Sequence, residues 1–201
     1  MKKPHLSPNE IDERLARARN RVLYKKLLDS IDGEDTNREG LAETPRRATE
    51  AFDFLTQGYN ENIDTTVGNA LFDENYDSMV IVRDIEFYSL CEHHLLPFFG
   101  KCHIGYISSG KIIGLSKIPR IVDIFARRLQ VQERLTEQIA AELNRILEPE
   151  GIGVIIEGYH MCMMMRGVQK QSAITQTNVM IGSFKDDVNA RQEFLATLGG
   201  K

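Results

Sequence analysis

Apolar positions recur near helical spacing through the first part of the chain. Ile11, Leu15, Val22 and Leu27 mark one face, and Arg and Lys fill the others. Ser7-Pro8-Asn9-Glu10 opens this helix. The serine can cap, the proline suits a first turn, and the glutamate three residues after the serine completes a capping box. Gly33 and Gly40 close the element. Thr44-Pro45 opens a second helix in the same way, with Ala48, Ala51, Phe52 and Leu55 on one side and Gly58 at its end. From Tyr59 to about Asp77 the signals are mixed, and the stretch reads mostly as loop.

At Met79 the pattern changes to strands. Met79 to Ser89 is rich in β-branched and aromatic residues, and Lys101 to Ile107 and Ile112 to Leu115 are shorter strands punctuated by Gly100 and Gly110. One helix begins near Ser116, with Pro119 in its first turn. Another runs from about Gln130 to Leu147 on a stripe of Leu135, Ile139, Leu143 and Ile146. Gly151 and Gly153 end the helical stretch. Strands over about Val154–Arg166 and Ala173–Ile181 follow, and a short helix over about Asn189–Leu198 comes last. The pattern predicts an α+β protein with a mainly antiparallel sheet behind an N-terminal helical segment, residues 1–58, with the second part spanning 59–201. Long strands in so small a sheet leave edges that need pairing or cover, which points to an oligomer.

Composition narrows the class. The chain has 201 residues, 42% hydrophobic and 27% charged, enough for a core without disulfide staples. Trp is absent, so that core rests on Ile, Leu, Val, Met and Phe. The net charge of −4 argues against a generally basic nucleic-acid binder and leaves room for a local basic site. No apolar run approaches the ~18 residues of a membrane span. The opening MKKPHLSPNEIDERL has two lysines with no apolar stretch behind them, unlike a secretory signal. Three cysteines, an odd number, suit a reducing compartment. The expectation is a cytoplasmic protein with neither a membrane nor a nucleic-acid partner.

The chemistry concentrates in two short strings. In Cys91-Glu92-His93-His94, a turn can aim Cys91 and His94 at one point. In His160-Met161-Cys162, strand geometry would put the histidine and the cysteine on one face. Two thiolates and an imidazole are a donor set preferred by Zn²⁺, and Cys₂His leaves a fourth position for water. A lone Cys or His is usually packing or surface, but two thiols and three histidines in two strings weaken that reading. Cys102 and His103 could compete for the same metal, and spacing leaves that alternative open. Between Lys101 and Arg134, seven Lys or Arg stand against Asp123 and Glu133 only, which suggests an anion site in an acidic chain. Gly114-Leu115-Ser116-Lys117, at a strand-to-helix junction, offers helix amides, a hydroxyl and a lysine to a phosphate. A solvated helix face accounts for these charges equally well. Met161, Met163, Met164 and Met165 read as flexible core packing.

Taken together, the strings resemble the GTP cyclohydrolase I family, over about Glu43 to Leu198. The likeness rests on Glu43-Thr44-Pro45-Arg46-Arg47, Ser89-Leu90-Cys91-Glu92-His93-His94, Gly114-Leu115-Ser116-Lys117, Val131-Gln132-Glu133-Arg134-Leu135-Thr136 and the segment from His160 to Gly167. The resemblance implies a T-fold, an antiparallel sheet with two helices on one face, assembled as a toroidal homodecamer with active sites between subunits. It implies Cys91, His94 and Cys162 as Zn²⁺ ligands, His93 and His160 as acid–base groups, and Gln132 and Glu133 as readers of guanine. It places Ser116, Lys117, Arg120, Arg166 and Arg47 around the ribose and triphosphate of GTP. The implied reaction converts GTP and water to 7,8-dihydroneopterin triphosphate and formate, opening tetrahydrofolate and pterin synthesis. Two rivals remain: another T-fold enzyme of pterin or deazapurine metabolism, and a non-catalytic nucleotide module whose zinc shell is closed by His93 or Cys102.

Overall fold

The computed structural model describes residues 7–199, with residues 8–11 as backbone only. The capping contact of Glu10 and the place of Ile11 in the stripe therefore lie outside the described residues. The chain divides into two compact units, Met1–Phe54 and Leu55–Lys201.

The first unit is built on α1 (Pro8–Asp29), α2 (Glu39–Ala42) and α3 (Thr44–Leu55). Arg17 Nε meets Asp53 Oδ2 at 2.9 Å. Within α3 the buried Thr49 donates its hydroxyl to the Pro45 carbonyl at 2.8 Å. The stripe of α1 forms as expected but is not taken up by a core: Leu15, Val22 and Leu27 are 63%, 54% and 62% exposed.

The second unit begins with a 3₁₀ turn at Gln57–Tyr59, α4 (Ile63–Val67) and β1 (Leu71–Asp73). The stretch expected to be mostly loop thus carries short elements. Asn62 caps α4, its side chain accepting from the Thr65 amide at 3.0 Å. Then come β2 (Met79–Cys91), β3 (Pro97–Ile107), β4 (Lys111–Ile113), α5 (Lys117–Ala126), β5 (Leu129–Gln130) and α6 (Gln132–Leu147). The chain continues through β6 (Gly151–His160), α7 (Met161–Met164), β7 (Thr175–Gly182), α8 (Ser183–Asp186) and α9 (Val188–Gly199).

Five strands form one sheet in the order β5-β2-β3-β6-β7, and β1 pairs with β4 apart from it. Only β5 joins in parallel, opposite Leu90 and Cys91, and the other pairings are antiparallel. The main core lies between one face of this sheet and the apolar sides of α5 and α6. Ile104, Tyr106, Val154 and Ile156 meet Ile121, Leu135, Ile139 and Leu143 there, all nearly inaccessible to water. The architecture is α+β, as the pattern predicts.

Two expectations need correction. Gly151 and Gly153 do not end α6; Glu148 in a left-handed conformation (φ 46°) followed by Pro149 does. The glycines lie inside β6, where a Cβ on Gly153, like one on its β3 partner Gly105, would sit 2.8 Å from the Phe194 ring. Their bare backbone lets Phe194 of α9 lie on the sheet face opposite the main core, against Ile155 and Phe184. The second correction concerns the strand expected to reach Arg166. It stops at His160, and Met161–Met164 forms a helical turn. Unbranched methionines favour helix over strand, and Gly167 at φ +66° completes the reversal.

Candidate active site

Cys91 ends β2, and the turn to β3 folds back on it. The Cys91 carbonyl accepts from the amides of His94 (3.3 Å) and Leu95 (2.8 Å), and its own amide donates to Leu96 O at 2.9 Å. Leu95 adopts φ 54° to allow this. The turn leaves His94 Nδ1 3.7 Å from Cys91 Sγ. Its outer side is tied to β5 and α6: the Glu92 amide donates to Gln130 O of β5 at 3.0 Å, and the Glu92 carboxylate pairs with Arg134 of α6.

Cys162 arrives from the first turn of α7. That turn follows His160, which faces Phe98 across the β3–β6 ladder as Phe98 faces Ser89 across β2–β3. Donor atoms of Cys91, His94 and Cys162 all lie within 4.8 Å of one another. A tetrahedral zinc with ordinary bond lengths needs about 3.5 Å between sulfur and nitrogen donors. The donor set therefore fits a metal ion, and it forms the only such cluster among the described residues. Cys91 is buried, Cys162 half-buried and His94 exposed, so one side of the cluster is open. Burial, and then the Cys91 sulfur beside it, push the Cys162 thiol up.

Cys102 and His103 drop out of competition. Cys102 is fully buried in the main core, where burial pushes its thiol far up. His103 faces the other side of the sheet and accepts the Asp84 amide at Nδ1, 3.1 Å away. Asp84 takes φ 59° in a bulge of β2 to make that bond.

Other expected residues gather near the cluster. His93 is exposed, its Nδ1 3.9 Å from Cys91 Sγ. Arg166 brings Nη1 to 3.4 Å from His94 Nε2. His160 stacks flat on Phe98, centroids 4.7 Å apart and planes within 2°, with Nε2 2.8 Å from Gln132 Oε1. Burial holds His160 below the ordinary histidine range, against an opposing pull from Glu133. Glu133 is exposed in the first turn of α6.

The remaining residues lie elsewhere on the chain. Ser116 immediately precedes α5 and is exposed. Lys117 donates to Thr66 O at 2.7 Å. With Arg120, it lines an open cleft of about 300 Å³ beside Gln57, Glu61, Thr65 and Asp123. Arg47 belongs to α3, in the first unit, and is exposed. The sequence reading overlooked Phe98, Thr136, Thr177 and the Glu92–Arg134 pair. Phe98 becomes visible only once strand register is known, since nothing in its neighbourhood along the chain ties it to His160.

With this geometry in hand, comparison with known proteins is informative. A family model described as GTP cyclohydrolase I matches residues 21–199. GTP cyclohydrolase 1 of Methylococcus capsulatus is 54% identical over 180 residues, 90% of this chain and 97% of that protein. The protein of the same name from Leptospira biflexa is 58% identical over 173 residues, 86% of this chain and 94% of its own. That of Chlorobaculum tepidum is 52% identical over 188 residues, 94% and 83% of the two chains.

Proposed function

Because the chain belongs to the GTP cyclohydrolase I family, we propose that it is a zinc-dependent enzyme converting GTP and water to 7,8-dihydroneopterin triphosphate and formate, the first step of tetrahydrofolate and pterin synthesis. The observation that carries this reading is the convergence of Cys91, His94 and Cys162 within 4.8 Å, from two strings far apart in the chain. These three would hold Zn²⁺. When bound, the ion supplies the acidity that makes water a nucleophile near neutral pH.

The protein's own groups do the rest. C8 of guanine is a poor electrophile, and a proton on N7 corrects that. His93, adjacent to a ligand and exposed, is the acid for it. Once C8 has left as formate, the ribose must open and rearrange, and His160 and Ser116 move protons at the sugar. Glu133 accepts from guanine N1–H and the 2-amino group. Adenine presents an acceptor at N1 and would leave that carboxylate mispaired, a mismatch that can discriminate by roughly 10⁴. Lys117, Arg120, Arg166 and Arg47 supply donors to the triphosphate.

Lys117 and Arg120 line a cleft that Cys91, His94 and Cys162 do not line, which supports an active site completed between subunits of a homodecamer. The exposed stripe on α1, the length of β2 that the two-residue β5 leaves unpaired, and the outer edge of β7 supply surfaces for such an assembly. In this reading residues 1–58 form a helical segment that serves assembly and carries Arg47, and 59–201 form the catalytic T-fold domain. Among the described residues no helix is long and apolar enough to cross a membrane, and all three cysteines are free. A cytoplasmic site of action suits both. Incubation with GTP tests the proposal: formate and the fluorescence of the oxidised pterin should appear together, and ATP should give neither. Phosphate release from GTP without formate would overturn it.

A further inference from the structure

Gln132 has its side-chain amide in an environment that leaves no choice of orientation. The residue is 1% exposed. Its Nε2 lies 3.1 Å from Ile156 O, 2.9 Å from Thr175 O and 3.1 Å from Thr177 Oγ1. Two of these partners are backbone carbonyls, which can only accept, so the NH₂ end of the amide must face them. The hydroxyls agree. Thr136 donates to the Gln132 main-chain carbonyl at 2.8 Å, so at its 2.6 Å contact with Thr177 it accepts and Thr177 donates. Thr177 Oγ1 therefore turns a lone pair toward Nε2, and the two amide hydrogens face three accepting oxygens.

It follows that Oε1 is the end presented to His160. An amide oxygen only accepts, so at 2.8 Å the histidine Nε2 must carry a hydrogen. Turning the ring over would put a carbon at that position and lose the bond. Phe98, fully buried and stacked flat against the imidazole, fixes the ring plane independently.

We infer that Gln132 is a positioning residue: anchored by the Ile156 and Thr175 carbonyls, it holds neutral His160 as the Nε2–H tautomer, so that Nδ1 is the nitrogen through which His160 exchanges a proton with substrate. This rests on the reading above that His160 acts in the GTP reaction. It assigns Gln132 a different task from the one it has in the family resemblance. An amide whose oxygen and nitrogen are both engaged inside the protein would have to give up buried hydrogen bonds to read a base, a costly exchange. Guanine recognition then falls to Glu133, whose carboxylate is exposed.

The direct test is ¹⁵N NMR of the metal-loaded enzyme labelled at histidine, near pH 8, above the ordinary histidine range. The His160 signals are assigned by their loss in His160→Gln. The expected result is a hydrogen on Nε2 and a bare Nδ1. A hydrogen on Nδ1, or comparable amounts of both tautomers, overturns the inference. Steady-state kinetics of Gln132→Leu give an independent reading. Loss of positioning should lower kcat by at least about tenfold while KM for GTP stays within roughly threefold. A raised KM with unchanged kcat would return Gln132 to base recognition and overturn the positioning role. The two ideas fail separately. Absence of formate from GTP would end the functional reading and leave the tautomer standing, whereas the wrong tautomer leaves turnover untouched.

Discussion

Glu133 and Glu137 stand one turn apart on α6, both exposed, and only the first is asked to do chemistry. Glu133→Ala should lower kcat/KM for GTP by about 10²–10⁴, because guanine loses its charged acceptor. Glu137→Ala should change it less than about twofold, as surface substitutions usually do. Near-normal turnover of Glu133→Ala would remove its role. His103 offers a test on stability instead. Burial holds it below the ordinary histidine range, with Asp84 and Glu157 pulling it up and Lys101 and Arg83 pushing it down. The unfolded chain therefore binds a proton more readily than the folded one. The stability this residue contributes is present above about pH 6.5 and is lost as pH falls toward its folded value. Urea midpoints measured from about pH 7.5 down to about pH 5 should fall more steeply for the wild type than for His103→Gln. Equal slopes would mean that His103 is not held neutral by the fold. At this scale the Cys91–His94 turn was legible from its spacing, whereas Cys162 joined it only through the family resemblance, since spacing left Cys102 and His103 open. Phe98 and Thr177 were not, since their contacts with the His160–Gln132 pair arise from strand pairing over long separations.

Elements were legible where the apolar period was strong, as in α6 and β2, and misread where a glycine or a methionine run admitted two meanings. Gly153 looked like punctuation because a glycine after a helix usually is. The feature that makes it a strand residue, the ring of Phe194, lies about forty residues on, far outside any local window. Phe194 is fully buried with Phe184 and Ile155 in a small cluster separate from the main core that includes Cys91. Phe194→Ala should cost about 3–5 kcal/mol in denaturant unfolding. Gly153→Ala, which drives a methyl group into that ring, should cost about 1–3 kcal/mol. Both variants should keep wild-type metal content. Loss of metal from either would show that the packing of α9 and the Cys91–His94–Cys162 group depend on each other.

For the whole molecule, the proposed assembly rests on the exposed stripe of α1 and the uncovered sheet edges. Light scattering should give a mass several times the 22.9 kDa of one chain, tenfold for the ring. Leu15→Glu with Leu27→Glu should shift that mass downward and lower activity in step. A fully active 22.9 kDa species would overturn the shared site. An assembly could be proposed from the sequence as unpaired edges. Its size could not, because closure depends on angles between chains that no local pattern encodes.

The most direct test of the central claim takes metal content and formate release from GTP on the same preparations of wild type, Cys162→Ala and His93→Ala. The wild type should hold about one zinc per chain and turn over, since Cys₂His supplies three ligands to a catalytic ion. Cys162→Ala should lose both metal and turnover. His93→Ala should keep its metal and fall about 10²–10⁴-fold in rate, the usual contribution of an acid–base group. A Cys162→Ala enzyme that still released formate at the wild-type rate would contradict the account.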